Sequence, residues 1–323
     1  MEGPEVSRRP YRRELWTRTW ERLLPGFLNR AEAGKHPLSL PSFFIIGPPR
    51  TGSTWLYEIL RGHAVLPRLT KETRFFDSHF HRGFQWYRAH YAQTSPGRLV
   101  GEVAPTYFAS AEARERIAQT LPTARVVCVF RDPVERLLSL YRLKRAYGLI
   151  PWSLEHAIVN DPELMESGKY ATNLKAWQRS LGTSQVLASI YDDLRDDPQA
   201  FLNGVVDFVG LPRFPLPPQQ VSRVGSSDAM THPRSYYRTR SAVAAAEWCK
   251  ARRLDAVVAA VKRSPLIKLF LGGGPAFADL SRELALQLYE YFLPEVEELE
   301  GLLNRDLSLW KPVRALRSRE ANA

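Results

Sequence analysis

Short runs of apolar residues alternate along this chain with segments in which apolar positions recur every three or four residues. Four runs have the length and composition of strands: 43–46, 98–103, 124–130 and 185–191. Five segments have the spacing of amphipathic helices: 54–60, 84–91, 111–121, 134–147 and 198–209. Strands that alternate with helices predict one parallel sheet covered on both faces. We therefore expect an α/β fold with a doubly wound parallel sheet.

The last third of the chain has a different pattern. Proline becomes frequent over 211–220 and the following residues are polar, which is typical of a loop or lid over 212–240. Two helical segments follow, 242–262 and 280–303, with a Gly-Gly-Gly-Pro break between them. The predicted organisation is a basic helical extension, one domain with a helical C-terminal part, and a tail: 1–40, 41–311 (helical over 242–311) and 312–323.

The sequence GPPRTGSTW, residues 47–55, joins the first strand to the first helix. Its glycines are separated by four residues, as in a nucleotide-binding P-loop, and Thr54 stands at the hydroxyl position of that pattern. Backbone N–H groups at a helix N-terminus bind anions. An ordinary Gly/Pro turn before a helix is the alternative. The segment predicts a P-loop-type anion site formed by Arg50, Thr51, Gly52, Ser53 and Thr54.

One residue distinguishes this loop from that of an ATPase. Ser53 follows Gly52 where a nucleoside triphosphatase has the lysine that reaches the β- and γ-phosphates. The cation lies inside the loop instead, as Arg50, whose planar guanidinium suits a smaller phosphate-type group bound without a metal. The loop is therefore expected to bind such a group rather than to cleave a nucleoside triphosphate.

A second candidate site follows the third predicted strand. Arg131-Asp132-Pro133 ends that strand, and ligands of open parallel sheets bind at the carboxyl ends of the strands. Ser139 lies eight residues after Arg131, about two helical turns, so its hydroxyl is expected on the same side of the helix as the first turn. Taken alone, the triplet is equally typical of a simple helix cap.

Composition is consistent with several binding roles. The chain has 323 residues, enough for one large domain, and its 45 Lys and Arg exceed its 34 Asp and Glu, a formal charge of +11. A basic surface suits a phosphorylated ligand, a nucleic acid or an anionic membrane alike. Two distant cysteines, Cys128 and Cys249, predict no disulfide framework and favour a reducing, cytoplasmic location.

No apolar run has the length of a membrane span, and the N-terminus lacks the apolar core of a signal peptide. The segment 11–27 is basic and has apolar residues at near-helical spacing. It is a candidate for peripheral contact with an anionic membrane, and packing on its own domain is the more common use of such a helix.

Together the two candidate sites resemble those of the sulfotransferases that use 3′-phosphoadenosine 5′-phosphosulfate (PAPS), and the resemblance extends over roughly 42–310. Three further motifs resemble the heparan-sulfate and bacterial carbohydrate-type members: KETRFFD at 71–77, the strand end at 102–108 and GKYATNLKAWQ at 168–178. The resemblance implies that the loop holds the 5′-phosphosulfate and that Arg131 and Ser139 hold the 3′-phosphate. It further implies that Trp55 and Tyr170 contact the adenine and that Arg234 closes on the 3′-phosphate from the lid. A position in the core is equally typical of the two aromatic residues, and a solvated loop is the more common setting for a segment such as the one around Arg234.

Transfer of a sulfuryl group resembles phosphoryl transfer, in which an acceptor atom attacks in line while negative charge grows on the departing nucleotide. The leaving group needs a cation and the acceptor needs a base. Arg50, assisted by Lys71, is the predicted cation, and the resemblance implies Glu72 as the base. A charged turn before an aromatic core pair is the alternative for this segment. His79 and His81 have no companion metal ligands in the sequence, so we expect no metal.

The chain departs from the heparan-type pattern at two positions. Arg74 stands where those enzymes have His, and Val103 stands where several 3-O-sulfating members have Lys. The acceptor therefore stays open between a carbohydrate and a small molecule, and between a hydroxyl and an amine.

Two other classes of function compete with this one. A small-molecule kinase on a degenerate P-loop would need Mg²⁺ and a lysine where this chain has Ser53. A non-catalytic basic module, directed to nucleic acid or to a membrane, would not need Arg131 and Ser139 at their interval. We therefore expect a PAPS-dependent sulfotransferase without a nucleic-acid partner.

Overall fold

The computed structural model describes residues 40–68, 70–91, 97–221, 231–251, 261 and 273–312. The N-terminal extension predicted over 1–40 lies almost entirely outside the described residues, and so does the tail predicted over 312–323. The candidate membrane segment at 11–27 is also outside them.

Four parallel strands form the central sheet, in the order β2-β1-β3-β4. Their bounds are β1 Phe43–Ile45, β2 Gly101–Val103, β3 Arg125–Phe130 and β4 Val186–Ile190. Each lies within, or nearly within, a run that the apolar pattern predicts as a strand. The predicted α/β fold with a parallel sheet is confirmed.

Helices connect and cover these strands. From the first strand to the last, the helices are α1 Ser53–Leu60, α2 Gly83–Arg88, α3 Ala111–Thr120, α4 Pro133–Ala146, α5 Leu154–Asn160, α6 Pro162–Glu166 and α7 Tyr170–Leu181. After the last strand come α8 Tyr191–Asp196, α9 Pro198–Val209, α10 Pro218–Val221, α11 Tyr236–Ala251 and α12 Arg282–Leu303. The predicted aromatic helix ends three residues early, and a short π-helical turn, Phe75–His79, precedes it.

Alternate residues of the strands face two separate cores. In β3, Cys128 and Phe130 pack with α3, α7 and α12, whereas Val127 and Val129 pack with α1, α8 and α9. Side chains of a strand alternate between the two faces of a sheet, and a strand with apolar residues on both faces is buried on both sides. The sheet is therefore doubly wound, as predicted.

The strand order places the loop after β1 at the centre of the sheet. The chain passes from β1 to β2 on one side and then to β3 on the other side of β1. The direction of winding reverses at this point, and such a switch leaves a crevice at the carboxyl ends of the two strands. The loop 47–52 and the residues after Phe130 lie at these ends.

The region predicted as a lid and a helix differs from expectation in two places. α11 begins at Tyr236, inside the predicted loop, and the glycine-rich break contains a strand, Gly273–Ala276 (β6). β6 pairs antiparallel with Thr231–Pro233 (β5), 40 residues earlier in the chain. The prediction fails here because the pairing joins the backbone groups of two short segments, Thr-His-Pro and Gly-Gly-Pro-Ala, which have no alternating apolar pattern to detect.

The long helix α12, in the part of the chain predicted to be helical, packs on the first core through Val296 and Leu299. α12 contributes Phe292, Val296 and Leu299 to the buried side chains, and its Glu295 carboxylate accepts hydrogen bonds from the Thr172 amide and hydroxyl. Trp310, just beyond it, is also buried. Among the helices in the described part of the chain, none combines the length and the apolar character that a bilayer crossing requires.

Candidate active site

Two glycines shape the loop between β1 and α1. A Cβ on Gly47 would lie 2.4 Å from the backbone nitrogen of Val129, so the loop can pass this close to β3 only without a side chain. Gly52 has a φ of 88°, and its Cβ would lie 2.9 Å from Leu194 Cδ2. Glycine adopts such a φ without steric cost, which other residues do not. The predicted loop is therefore present, with both glycines required by geometry.

The hydroxyl groups of the loop have different partners. Thr51 is buried and its Oγ1 donates to the carbonyl of Pro48 at 2.8 Å, which closes the loop on itself. Ser53 and Thr54, in the first turn of α1, both accept hydrogen bonds from the ammonium of Lys71, at 3.2 and 3.3 Å. Thr51 thus supports the loop through its side chain, while Ser53 and Thr54 face a cation that comes from another segment.

Arg50 is held in an unusual backbone conformation. Its φ is 78°, and few residues other than glycine adopt positive φ values. Its Nε donates to Ser139 Oγ at 2.9 Å, which ties the loop to α4. Burial, together with the charge of the neighbouring Arg131, lowers the pKa of the Arg50 guanidinium. The positive charges of the two guanidinium groups repel each other. An anion bound between or beside them would relieve this repulsion.

Arg131 lies directly after β3, where the sequence predicts it. Asp132 caps α4 by accepting from the amides of Val134 and Glu135, both at 2.9 Å. The Arg131 guanidinium lies 5.2 Å from the centre of the Tyr191 ring and donates twice to the Glu135 carboxylate. Since Arg50 contacts Ser139 and interacts with Arg131, the structure brings all three predicted phosphate ligands to one edge of the sheet.

Lys71 connects the predicted base to residues 47–54, the predicted anion-binding loop and the first turn of α1, called the phosphate loop below. Its Nζ lies 3.0 Å from Glu72 Oε1, in addition to its contacts with the hydroxyls of Ser53 and Thr54. The Lys71 and Glu72 side chains are 24% and 27% exposed, so both can reach a bound molecule. Lys71 thus brings an ammonium to a loop that has no lysine after Gly52. The first turn of α1, described throughout, contains no acidic residue to oppose an anion.

Trp55 has a position different from the one that the sequence predicts. It is buried among the side chains beneath the loop, edge-on to Phe201, and its indole N–H donates to the Gln220 carbonyl at 2.9 Å. Its hydrogen-bond donor is therefore used inside the protein. A contact with adenine is not supported by this position, and Trp55 holds α10 against α1 instead.

Tyr170 is likewise a core residue. Its side chain is fully buried, packs at 4.9 Å from the Phe130 ring centre, and donates its phenol hydrogen to the Arg131 carbonyl at 2.9 Å. A side chain without exposed surface does not flank a ligand, so the predicted adenine contact is not supported. Tyr170 instead fixes the backbone at the strand end that presents Arg131.

Arg234 lies immediately after β5, in the small antiparallel sheet. Its Nε donates to the Gly273 carbonyl at 3.0 Å, so the guanidinium joins β5 to β6. This contact accounts for Arg234 without a ligand, and its contact with the 3′-phosphate stays a prediction.

Glu102 is the residue that sequence reasoning missed as part of this site. It is fully buried at the centre of β2, where Phe44 is its neighbour in register. Its Oε1 accepts from the amide and the hydroxyl of Thr73, at 2.9 and 2.6 Å, and its Oε2 accepts from the Tyr87 hydroxyl at 2.6 Å. Because Thr73 follows Glu72, this carboxylate anchors the backbone that carries the predicted base.

The Glu102 environment is almost wholly made of hydroxyl groups and rings. The Tyr107 hydroxyl lies 3.4 Å from its Oε1, and Tyr91 donates to Tyr87 at 2.9 Å. Burial raises the pKa of Glu102 to about 7, although the bonds from Thr73 and Tyr87 oppose the rise. The sequence contained one signal for this role, which is an acidic residue inside a predicted buried strand. Acidic residues are almost never fully buried unless they are paired, so such a residue indicates specific partners.

The two histidines beside this segment have no set of metal-ligating companions among the described residues. No group of three His, Cys, Asp or Glu side chains in the described part of the chain is arranged to hold a metal ion. Burial lowers the pKa of His79 to about 4, and its Nδ1 has no hydrogen-bond partner among the described residues. His79 is therefore uncharged at neutral pH. Nucleotide binding without a metal stays a prediction.

Comparison with known proteins identifies the family. A model of the sulfotransferase domain matches residues 40–237. Heparan sulfate glucosamine 3-O-sulfotransferase 3B1 of Mus musculus is 32% identical over 200 residues, which are 56% of this chain and 49% of the relative. The bifunctional heparan sulfate N-deacetylase/N-sulfotransferase 4 of the same organism is 29% identical over 195 residues, which are 53% of this chain and 22% of that protein. The chain thus spans about half the length of the first relative and less of the second.

A solved structure agrees with the fold. The sulfotransferase from Alicyclobacillus acidocaldarius superimposes with a TM-score of 0.61 at 19% identity, over 84% of this chain and 99% of that one. The domain match covers the central sheet, the loop 47–52 and Arg131 with Ser139. This chain belongs to the sulfotransferase domain family.

Proposed function

We propose that this protein transfers a sulfuryl group from PAPS to a hydroxyl or amine of a carbohydrate acceptor. Membership of the sulfotransferase family supports the reaction class. The relatives named above act on heparan sulfate according to their names, one as a glucosamine 3-O-sulfotransferase and one as an N-sulfotransferase, which supports a carbohydrate acceptor and both kinds of acceptor atom.

One observation carries the proposal: the Lys71 ammonium joins the phosphate loop to a carboxylate. It contacts Ser53 and Thr54 at the helix N-terminus and Glu72 at 3.0 Å. A sulfuryl donor held by the loop would therefore lie beside the Lys71 ammonium, and the Glu72 carboxylate, the predicted base, is in contact with that ammonium. A simple nucleotide-binding module would have no use for the carboxylate.

In the proposed reaction each of these side chains has one role. The acceptor oxygen or nitrogen forms a bond to sulfur, and its proton moves to the Glu72 carboxylate. The bond between sulfur and the bridging phosphate oxygen breaks, and its electron pair leaves with 3′-phosphoadenosine 5′-phosphate (PAP). Arg50, Lys71 and the loop amides stabilise the negative charge that grows on that oxygen. The products are a sulfated acceptor, PAP and a proton.

The cofactor half is tested by thermal unfolding. PAP is expected to raise the melting temperature without Mg²⁺, because a ligand that binds only the native state stabilises it by mass action, whereas ATP should do so poorly. Equal or greater stabilisation by Mg-ATP would favour the kinase alternative. Failure of every nucleotide to stabilise the protein would favour the non-catalytic module.

The acceptor half is tested by transfer of labelled sulfate from PAPS. A panel should contain N-acetylated, N-sulfated and free-amine heparan oligosaccharides, with phenols and simple alcohols as small-molecule controls. Label on an oligosaccharide supports the proposal, and label on small molecules alone contradicts the carbohydrate assignment. The cytoplasmic location stays a prediction.

A further inference from the structure

Arg131 is already bound to an anion of the protein itself. Its Nε and Nη2 both donate to Glu135 Oε2, at 3.1 and 2.8 Å. A guanidinium that gives two N–H groups to a carboxylate makes the same kind of contact that it makes with a phosphate. Glu135 therefore occupies donors of Arg131 that a nucleotide phosphate would use.

The position of Glu135 on α4 places it inside the proposed phosphate site. Ser139 is four residues further on, and side chains at this spacing lie on one helix face with Cβ atoms about 6 Å apart. Ser139 receives the Nε hydrogen of Arg50 at 2.9 Å. A phosphate that contacts both Arg131 and Ser139 must come close to the Glu135 carboxylate, where two negative charges repel each other.

Exposure shows which partner can move. The Arg131 side chain is 19% exposed and lies over the Tyr191 ring, whereas the Glu135 side chain is 53% exposed. The carboxylate can therefore turn into water while the guanidinium stays in place. A surface pair at this spacing is weak enough to be broken by a ligand of higher charge.

We propose that Glu135 is an internal competitor for the nucleotide 3′-phosphate: its carboxylate holds Arg131 until a phosphate displaces it, and this exchange sets the affinity for 3′-phosphorylated nucleotides. This inference rests on the proposed function, since it takes the 3′-phosphate of PAPS or PAP as the incoming group. It adds a residue that opposes binding to a site otherwise made of cations.

The test is the Glu135→Gln variant, which keeps the size and one acceptor oxygen of the side chain and removes its charge. Calorimetry at low salt should show PAP binding about three- to tenfold tighter than in the unaltered protein, because a nearby like charge is gone. Adenosine 5′-phosphate, which lacks the 3′-phosphate, should change less than twofold. Glu135→Ala should behave in the same way, which makes the result independent of the glutamine amide.

A matched control separates this effect from a general change of charge. Glu166→Gln alters the net charge equally, and the Glu166 side chain is 51% exposed and paired with Lys169 on another helix end. It should leave PAP affinity unchanged. An equal gain with Glu166→Gln, or an equal gain for adenosine 5′-phosphate, would overturn the inference.

Two further outcomes distinguish this inference from the proposed function. If the unaltered protein binds PAP and Glu135→Gln weakens that binding or leaves it unchanged, Glu135 positions Arg131 or is a bystander, and only this inference is wrong. If neither protein binds PAP although both unfold cooperatively at the same temperature, the proposed function is wrong and this inference falls with it.

Discussion

The phosphate loop and the segment that carries Glu72 lie side by side, yet they are fixed in different ways. The loop is shaped mainly by its own residues, since Gly47 and Gly52 permit its path and Thr51 closes it on Pro48, and one further bond, from Arg50 to Ser139, ties it to α4. The Glu72 segment is held by Thr73, whose amide and hydroxyl bind a buried carboxylate 29 residues away, on β2. A binding site for a common anion can be built locally, whereas the placement of a base needs an anchor in the core.

The comparison is tested most strongly at Glu72 itself. Glu72→Gln keeps the shape and one acceptor oxygen but removes the proton acceptor, so turnover should fall by about two to four orders of magnitude. PAP affinity should stay nearly intact, because the loop does not depend on this carboxylate. Single-turnover transfer and calorimetry measure the two effects separately.

A control for the Glu72 prediction is Glu58→Gln, a partly exposed carboxylate on α1 that is paired with Arg61, and this variant should leave turnover unchanged. Normal turnover in Glu72→Gln would exclude Glu72 as the base and would make His79 or His81 the next candidates.

Arg50→Ala should instead reduce both PAP binding and turnover, since the guanidinium of the loop contacts the donor before and during transfer.

The anchor of the second region is tested by pH. Because the pKa of Glu102 is about 7 in the native state and 4.5 in the reference state, the native protein binds this proton more tightly. The resulting stability is complete below about pH 4.5 and is lost as the pH rises through 7, a loss of about 3 kcal/mol in the free energy of unfolding. Glu102→Gln should remove this dependence.

The measurement is the difference in unfolding free energy between the unaltered protein and Glu102→Gln, by urea denaturation from pH 4.5 to 8. Using the difference cancels other titrating groups, such as His79, whose lowered pKa acts in the opposite sense. A difference that does not change with pH would show that Glu102 titrates normally and that the anchor is an ordinary carboxylate.

On the loop side, Arg131→Ala should weaken PAP binding by roughly ten- to a hundredfold, the cost of losing a charge-assisted contact of about 1.5 to 3 kcal/mol. Adenosine 5′-phosphosulfate, without a 3′-phosphate, should bind almost as before. Arg213→Ala, an exposed arginine paired with Asp207, is the charge-matched control. Equal losses for both ligands would make Arg131 a structural residue.

The smallest expected effect concerns Trp55. Trp55→Phe removes the N–H bond to the Gln220 carbonyl and should lower the free energy of unfolding by about 1 kcal/mol, with PAP affinity within twofold. Chemical denaturation and calorimetry report the two quantities. A large loss of affinity at unchanged stability would restore the predicted contact with adenine.

The predictions from sequence succeed where the chain acts locally. Strand, loop and helix around Gly47 and Arg50 are consecutive, so spacing alone predicts their order, and the interval of two helical turns after Arg131 places Ser139 on the helix that the loop contacts. Binding of an anion there stays a prediction. The predictions leave Trp55 and Tyr170 open between an adenine contact and the core, because a ring near a ligand edge and a ring in the core have the same sequence pattern. Only burial and the partners of their polar atoms distinguish them.

The sequence by itself determined the doubly wound parallel sheet, the phosphate loop without its lysine, and the cation at the end of β3. These features depend on periodicity, on glycine and on residue type, which act over a few positions. Tertiary structure alone decided that Lys71, a cation already predicted from the sequence, contacts the hydroxyls of Ser53 and Thr54, that Glu102 anchors Thr73, and that Glu135 engages Arg131. Those contacts depend on how separate segments pack and on which rotamer each side chain adopts, and local sequence patterns predict neither of these.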